Sequence, residues 1–140
     1  MSETVLVTGG AGFIGSNFVP YFLKAHPEIT LVNLDKMTYA ADEANLAEVR
    51  DNPRYVFIKG DITDKELVEK IFAGHDIRGV IHFAAESHVD NSIKGPEIFV
   101  KTNVLGTFTL LETARRHWMD EPFKVKKGYE KCRFHHLSLI

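Results

Sequence analysis

Cysteine is nearly absent: Cys132 is the single one in 140 residues. One thiol forms no internal disulfide and no paired-cysteine metal site, so Cys132 is expected as a small buried or half-buried residue beside the last strand. Long apolar runs are also missing. Nothing approaches the ~20 residues that a membrane-spanning helix requires. The opening MSETVLV lacks the basic start and apolar stretch of a secretory signal. No membrane partner is expected, and a cytoplasmic location follows by default. Charge of one sign is lacking too: 17 Lys and Arg face 19 Asp and Glu, for a net charge of −2. Such a balance offers nucleic acid no general attraction. The local cluster of Lys124, Lys126, Lys127, Lys131 and Arg133 reads as a solvated loop. Internal repeats and low-complexity stretches are absent as well.

What is present suits one globular domain. The hydrophobic fraction of 44% and charged fraction of 26% are ordinary for a chain that buries a core. TVLVT (Thr4–Thr8) is a short β-branched run, too apolar to be half-exposed, and TLVNLD (Thr30–Asp35), YVFIK (Tyr55–Lys59), GVIHF (Gly79–Phe83) and CRFHHLS (132–138) are expected as the second to fifth strands. In the last of them, Phe134 and Leu137, with Leu139 and Ile140 beyond, predict a buried strand. Helices are expected over residues 16–26, over Glu43–Arg50, over 65–73 and over 95–119, where Pro96 stands near the first turn. Pro20 lies inside the first helix, where it costs about 3 kcal/mol in an ordinary interior and predicts a kink or a first turn held by a ligand. Strands alternating with helices predict an α/β, Rossmann-type doubly wound parallel sheet in the order 3-2-1-4-5.

The glycines bring the first chemistry. Gly10, Gly12 and Gly15 satisfy G-x-G-x-x-G, and Gly9, Gly12 and Gly15 the looser G-x-x-G-x-x-G. The loop follows a buried strand, opens a helix, and has Asp35 twenty residues after Gly15. That context fits a dinucleotide site: glycines let the backbone turn tightly and approach a pyrophosphate, and the helix N-terminus offers it unpaired N–H groups. Asp35 would accept from ribose hydroxyls and repel a 2′-phosphate, although Lys36 beside it could blunt that repulsion. The cofactor expected is NAD. Asp61, at the tip of the third strand, could accept from the adenine amino group or could cap the next helix, a task Thr63 or Asp64 could equally perform. The small residues of FAAES (83–87) suit a chain passing beneath the pyrophosphate and nicotinamide ribose.

Other chemistry is argued against. Tyr55 and Lys59 make a literal Tyr-x-x-x-Lys, but on a strand they stand about 13 Å apart at ~3.3 Å per residue, so no catalytic role is assigned. His135 and His136 are adjacent on a strand and face opposite ways. His82, Glu86 and His88 lack the helical spacing of a zinc site. No metal is expected.

At this point the motifs TGGAGFIGSNFV, NLDKMTYA, KGDITD, HFAAESHVDNSI, KTNVLGT and RFHHLS resemble the N-terminal part of the nucleotide-diphosphate-glucose 4,6-dehydratases, most of all the dTDP-glucose enzymes, in the extended short-chain dehydrogenase/reductase superfamily. The resemblance covers essentially the whole chain. It implies tightly held NAD, contacted by Gly9, Gly12, Phe13, Ile14, Gly15, Asp35, Lys36, Met37, Thr38, Asp61, Ile62, Phe83, Ala84, Ala85, Glu86, Ser87 and Thr102. It further implies that Ser87 faces a nucleotide-sugar substrate, that His88 approaches it, and that Asn103 supports a proton relay. In that family NAD oxidises the hexose at C4, water leaves across C5 and C6, and the hydride returns to C6.

The resemblance also calls for a Thr-Asp-Glu carrying an acid–base pair after the fifth strand, and for a Tyr-x-x-x-Lys on the following helix. Neither follows Ser138 in these residues. Residues 1–140 are therefore expected to be an incomplete NAD-binding domain, inactive alone, without catalytic residues of its own. Two further readings are a non-catalytic NAD-binding module and a fragment of a nucleotide-sugar epimerase or reductase. Two departures touch the site: TYAADEANL replaces the family's glycine turn by Ala41 and adds Asp42 and Glu43, and Asn91 stands where arginine is frequent. In the family the helix over 96–118 forms a dimer interface. Without its neighbour, Phe99, Val104, Phe108 and Leu111 should leave an apolar surface prone to self-association.

Overall fold

The computed structural model describes residues 3–9, 13–36, 49–83 and 101–137, with the side chains of residues 13, 14 and 101–103 left out. The expected helix over Glu43–Arg50 lies almost wholly outside these residues; only Val49 and Arg50 are described, in a turn. Five strands form one parallel sheet: β1 (Thr4–Thr8), β2 (Thr30–Asp35), β3 (Tyr55–Lys59), β4 (Ile77–His82) and β7 (Arg133–His136), in the order β3-β2-β1-β4-β7. This is the anticipated doubly wound order, with the seventh strand among the described residues filling the fifth place. Between β4 and β7 come a π-helical turn (Lys101–Gly106), helix α3 (Thr107–Trp118), and a small antiparallel pair, β5 (Met119–Glu121) with β6 (Lys124–Val125). Met119 was expected to end the long helix and the rest of that pair to be loop; strands of three and two residues carry too little alternation to be read.

Alternation across β1 builds the core on two faces. Leu6 points to one face, where Val32, Leu34 and Val80 meet Val68 and Phe72 of helix α2 (Lys65–His75) and Leu110 and Trp118 of α3. Val5 and Val7 point to the other, where Leu31 meets Val19 and Leu23 of helix α1 (Phe13–Ala25). Burial on both faces explains why the inner strands read as continuous apolar runs. Helix α1 runs unbroken through Pro20. The Arg54 guanidinium donates to the carbonyls of Leu23, His26 and Ile29 at 2.9, 3.0 and 2.7 Å, supplying partners and positive charge at the C-terminal end of α1.

The buried fifth strand needs correction. Arg133, His135 and His136 are exposed, and Leu137 is 40% exposed; only Phe134 packs partly against the core. Among the described residues the strand has one hydrogen-bonded neighbour, β4, and its apolar content alone does not bury it. Tyr55–Lys59 is a strand, as argued, and the Tyr55 hydroxyl accepts from Asn33 Nδ2 at 3.1 Å. Cys132 is half-buried and free, with burial pushing its thiol pKa up. Among the described residues no helix is long and apolar enough to cross a membrane.

Candidate dinucleotide site

The C-terminal ends of the parallel strands come level at one edge of the sheet. Backbone bonds continue the ladders past the strands: Gly9 N to Leu34 O at 3.1 Å, Gly60 N to Asp35 O at 3.0 Å, and Phe83 N to Thr8 O at 2.8 Å. The chain leaves β1 for β2 on one side and reaches β4 on the other, so β1 marks the switch point at which open α/β sheets form a crevice.

Gly9 leaves β1 with φ of +76°, a left-handed conformation that costs a residue with a Cβ and costs glycine little. Residues 10–12, including Gly10 and Gly12, lie outside the described part, and α1 opens at Phe13, with Gly15 buried in its first turn. The first turn of α1 contains no acidic residue. In α2, by contrast, Asp64 caps the helix by accepting from Leu67 N, and Glu66 sits in the first turn. The N-terminal end of α1 thus has no carboxylate in that turn to repel an anion.

At the β2 and β3 tips the structure brings three of the expected residues together. Asp35 is buried, 8% exposed, at the end of β2. Lys36 follows, and its Nζ lies 3.3 Å from Asp61 Oδ2. Asp61 Oδ1 accepts from Thr63 N at 2.9 Å. Burial pushes the Asp61 pKa up, but the Thr63 hydrogen bonds and the Lys36 charge outweigh it, leaving the carboxyl below its ordinary value. Helix capping falls to Asp64, which leaves the Asp61 carboxylate to its turn and to Lys36.

Two expected contacts prove to be packing residues in their side chains. Ile62, 3% exposed, belongs to the core face shared with α2 and α3. Phe83, 8% exposed, packs against Phe18 of α1 with ring centroids 5.4 Å apart. Thr102 and Asn103 fall in the π-helical turn, a local geometry frequent at functional sites. Met37, Thr38, Ala84, Ala85, Glu86, Ser87, His88 and Asn91 lie outside the described residues.

Sequence reasoning missed one feature of this edge. His82, weighed there only as a metal ligand, is completely buried in β4 between two threonines. Its Nδ1 is 2.5 Å from Thr8 Oγ1, and its Nε2 is 2.9 Å from Thr107 Oγ1. It joins the residue before Gly9 to the first turn of α3. Burial first, and His136 second, hold its pKa down to about 4, so the ring is neutral at pH 7. The usable signal was a polar residue inside an apolar parallel strand, since such a group needs buried partners. Among the described residues, no group of three or more His, Cys, Asp or Glu is placed to hold a metal.

The family model described as GDP-mannose 4,6 dehydratase matches residues 6–138. A dTDP-glucose 4,6-dehydratase of Haemophilus influenzae is 49% identical over 136 residues, covering 96% of this chain and 38% of that protein. The solved dTDP-glucose 4,6-dehydratase of Streptomyces venezuelae, with NAD bound, matches at a TM-score of 0.76 and 48% identity, over 82% of this chain and 36% of that one. The Bacillus anthracis enzyme in complex with NAD matches at a TM-score of 0.74 and 40% identity, over 83% and 34%. The chain spans little more than a third of the length of the curated relatives it matches.

Proposed function

The chain belongs to the GDP-mannose 4,6 dehydratase family, and on that premise we propose that residues 1–140 are the NAD-binding portion of a dTDP-glucose 4,6-dehydratase. The observation that carries the reading is the gathering, at one edge of the sheet, of Gly9 at positive φ, buried Asp35, and the Lys36–Asp61 pair.

The residues present fit such a cofactor. The backbone at Gly9, Gly12 and Gly15 and the start of α1 at Phe13 and Ile14 would hold the pyrophosphate. Asp35 would accept from the adenosine ribose hydroxyls, with Lys36, Met37 and Thr38 beside them. Asp61 and Ile62 would border the adenine. Phe83, Ala84, Ala85, Glu86 and Ser87 would line the nicotinamide half, with Thr102 against it, and Ser87 would also face the sugar. When bound, NAD supplies the hydride acceptor and donor for sugar oxidation and reduction. The parts played by this chain are binding, orientation and selection against a 2′-phosphate. None of these residues is an acid or base for the elimination. The 140 residues taken alone bind cofactor and do not dehydrate.

Calorimetric titration with NAD and NADP tests the binding half: saturable NAD binding with weaker NADP binding is expected, and no heat with either overturns the reading. Incubation with dTDP-glucose, followed through the absorbance of the keto product in base, tests the other half. Product formation by the purified chain would overturn inactivity alone.

A further inference from the structure

Lys36 and Asp61 project from neighbouring strand tips. β2 and β3 run in register through Asp35 and Lys59, so the two chains leave the sheet as neighbours, with Lys36 directly after β2 and Asp61 two residues after β3. Nζ and Oδ2 are 3.3 Å apart, with the side chains 36% and 35% exposed. The second carboxylate oxygen is already engaged by Thr63 N at 2.9 Å. Asp61 is thus fixed by its own turn, and Lys36 reaches across to it. A lysine next to Asp35 could otherwise offset the repulsion of a 2′-phosphate; this one is directed to the next strand instead. Asp35, Lys36 and Asp61 together carry a charge of −1.

We propose that Asp61 enforces the choice of NAD over NADP by holding Lys36, which keeps the ammonium from serving a 2′-phosphate. The proposal rests on the dinucleotide reading above. An exposed pair of this kind contributes little to stability. Its effect on selection is different in kind. To bind a 2′-phosphate, Lys36 must leave Asp61, and two carboxylates then confront the phosphate. A ribose with free hydroxyls demands no such rearrangement, so the penalty falls on the phosphorylated nucleotide alone.

The test is a calorimetric double-mutant cycle with NAD and NADP on the unsubstituted chain, Asp61→Asn, Lys36→Met and the pair combined. Asparagine keeps the acceptor for Thr63 N and removes the charge that holds Lys36. Asp61→Asn should raise NADP affinity relative to NAD by about fivefold, the range of one released surface ion pair. Lys36→Met should leave the ratio nearly unchanged in the original background and abolish the gain in Asp61→Asn. An equal effect of Lys36→Met in both backgrounds would overturn the proposal, as would an unchanged ratio in Asp61→Asn. If the unsubstituted chain binds neither nucleotide, the dinucleotide reading falls and takes this proposal with it. If it binds NAD but shows no background dependence, only this proposal falls. A nucleotide-free check is the carboxyl ¹³C titration of Asp61: Lys36→Met should move its midpoint upward, and no movement means that the pair does not persist in solution, which also overturns the proposal.

Discussion

Gly106 lies so close to Ile62 that a Cβ at position 106 would come within 2.3 Å of Ile62 Cδ1 and 2.5 Å of its Cγ1. Gly106 closes the π-helical turn that contains Thr102, and Ile62 follows Asp61. Their contact fixes how near that turn approaches the β3 side of the sheet. Gly106 has an ordinary helical φ of −63°, so space and not conformation calls for glycine here.

Gly106→Ala should therefore destabilise the fold despite alanine's better helix propensity. Overpacking a filled core costs roughly 1–3 kcal/mol, against about 1 kcal/mol regained from propensity. Ile62 is 3% exposed and has little room to yield. A net loss of about 1 kcal/mol is expected in urea unfolding. Ile62→Val, which removes Cδ1, should recover part of it in the double variant. Strictly additive losses would show that the contact does not set the approach.

His82 predicts an acid-sensitive window. Its pKa is held down to about 4 in the folded state, whereas an unfolded histidine titrates near 6.5. As pH falls below 6.5 the unfolded chain takes up a proton that the buried ring refuses, so stability declines until about pH 4. The difference corresponds to at most about 3 kcal/mol. A neutral ring has one donor and one acceptor, so one of Thr8 and Thr107 donates to it and the other accepts. Melting temperatures of the unsubstituted chain should fall between pH 6.5 and 4 more steeply than those of His82→Gln. Parallel profiles would mean that His82 is not the group responsible.

Much of this architecture was legible beforehand, for definable reasons. The runs Thr4–Thr8, Thr30–Asp35 and Tyr55–Lys59 begin and end where the strands do, because β-branched residues give way at once to Gly9, Lys36 and Gly60. The sheet order followed from right-handed crossovers between parallel strands. What escaped depends on neighbours. The exposure of β7 is decided by what covers it, a fact external to Phe134 or Leu137. The capping role went to Asp64 among three candidates because the chain turns once more after Asp61, with Asp64 N bonding to Asp61 O at 2.9 Å. The Lys36–Asp61 pair joins residues remote in sequence and exists only through strand register. Of the expected site, Gly9, Asp35 and Asp61 can be placed at the common edge, while Met37, Thr38 and residues 84–87 lie outside the described part.

At the opposite end of the sheet, Asp76 ends α2 in a left-handed conformation with φ of 49°. Its carboxylate accepts from the Tyr129 hydroxyl at 2.6 Å, lies 2.9 Å from His117 Nε2, and pairs with Arg78 at 3.0 Å. The Tyr129 hydrogen bond is the main cause holding its pKa down to about 2, with His117 and Arg78 adding to it against the effect of burial. A depressed carboxylate stabilises the fold above the unfolded pKa and loses that contribution as pH falls from about 4 to about 2. The side chain is 50% exposed, so solvent screening reduces the expected cost of Asp76→Asn to about 1 kcal/mol. Asparagine tolerates the left-handed backbone, which isolates the effect of charge. Asp76→Asn should flatten the stability profile below pH 4 and leave the His82 window above it intact. A change in the upper window instead would assign the wrong group.

The last prediction concerns the outer face of the π-helical turn and of α3, which follows it. Val104, Phe108 and Leu111 are 59%, 62% and 48% exposed, and their spacing of four and three residues sets them along one stripe, with Leu105 at 52% beside it. Three large apolar side chains in a row exceed the scattered exposure normal on a monomer's surface. The expected Phe99 contribution lies outside the described residues. Arg116 of α3 is paired to Glu69 of α2 at 3.3 Å and also lies near Glu112, so the charged residues bind α3 to its own chain while the stripe faces outward. Self-association through this face is expected, and sedimentation velocity should show a concentration-dependent shift to larger species. Phe108→Glu would place a charge in the middle of the stripe and should restore a single monomeric boundary without lowering the melting temperature. If the unsubstituted chain sediments as a monomer at every concentration, the stripe is not an association surface. If Phe108→Glu leaves the shift in place, association runs through another part of the chain.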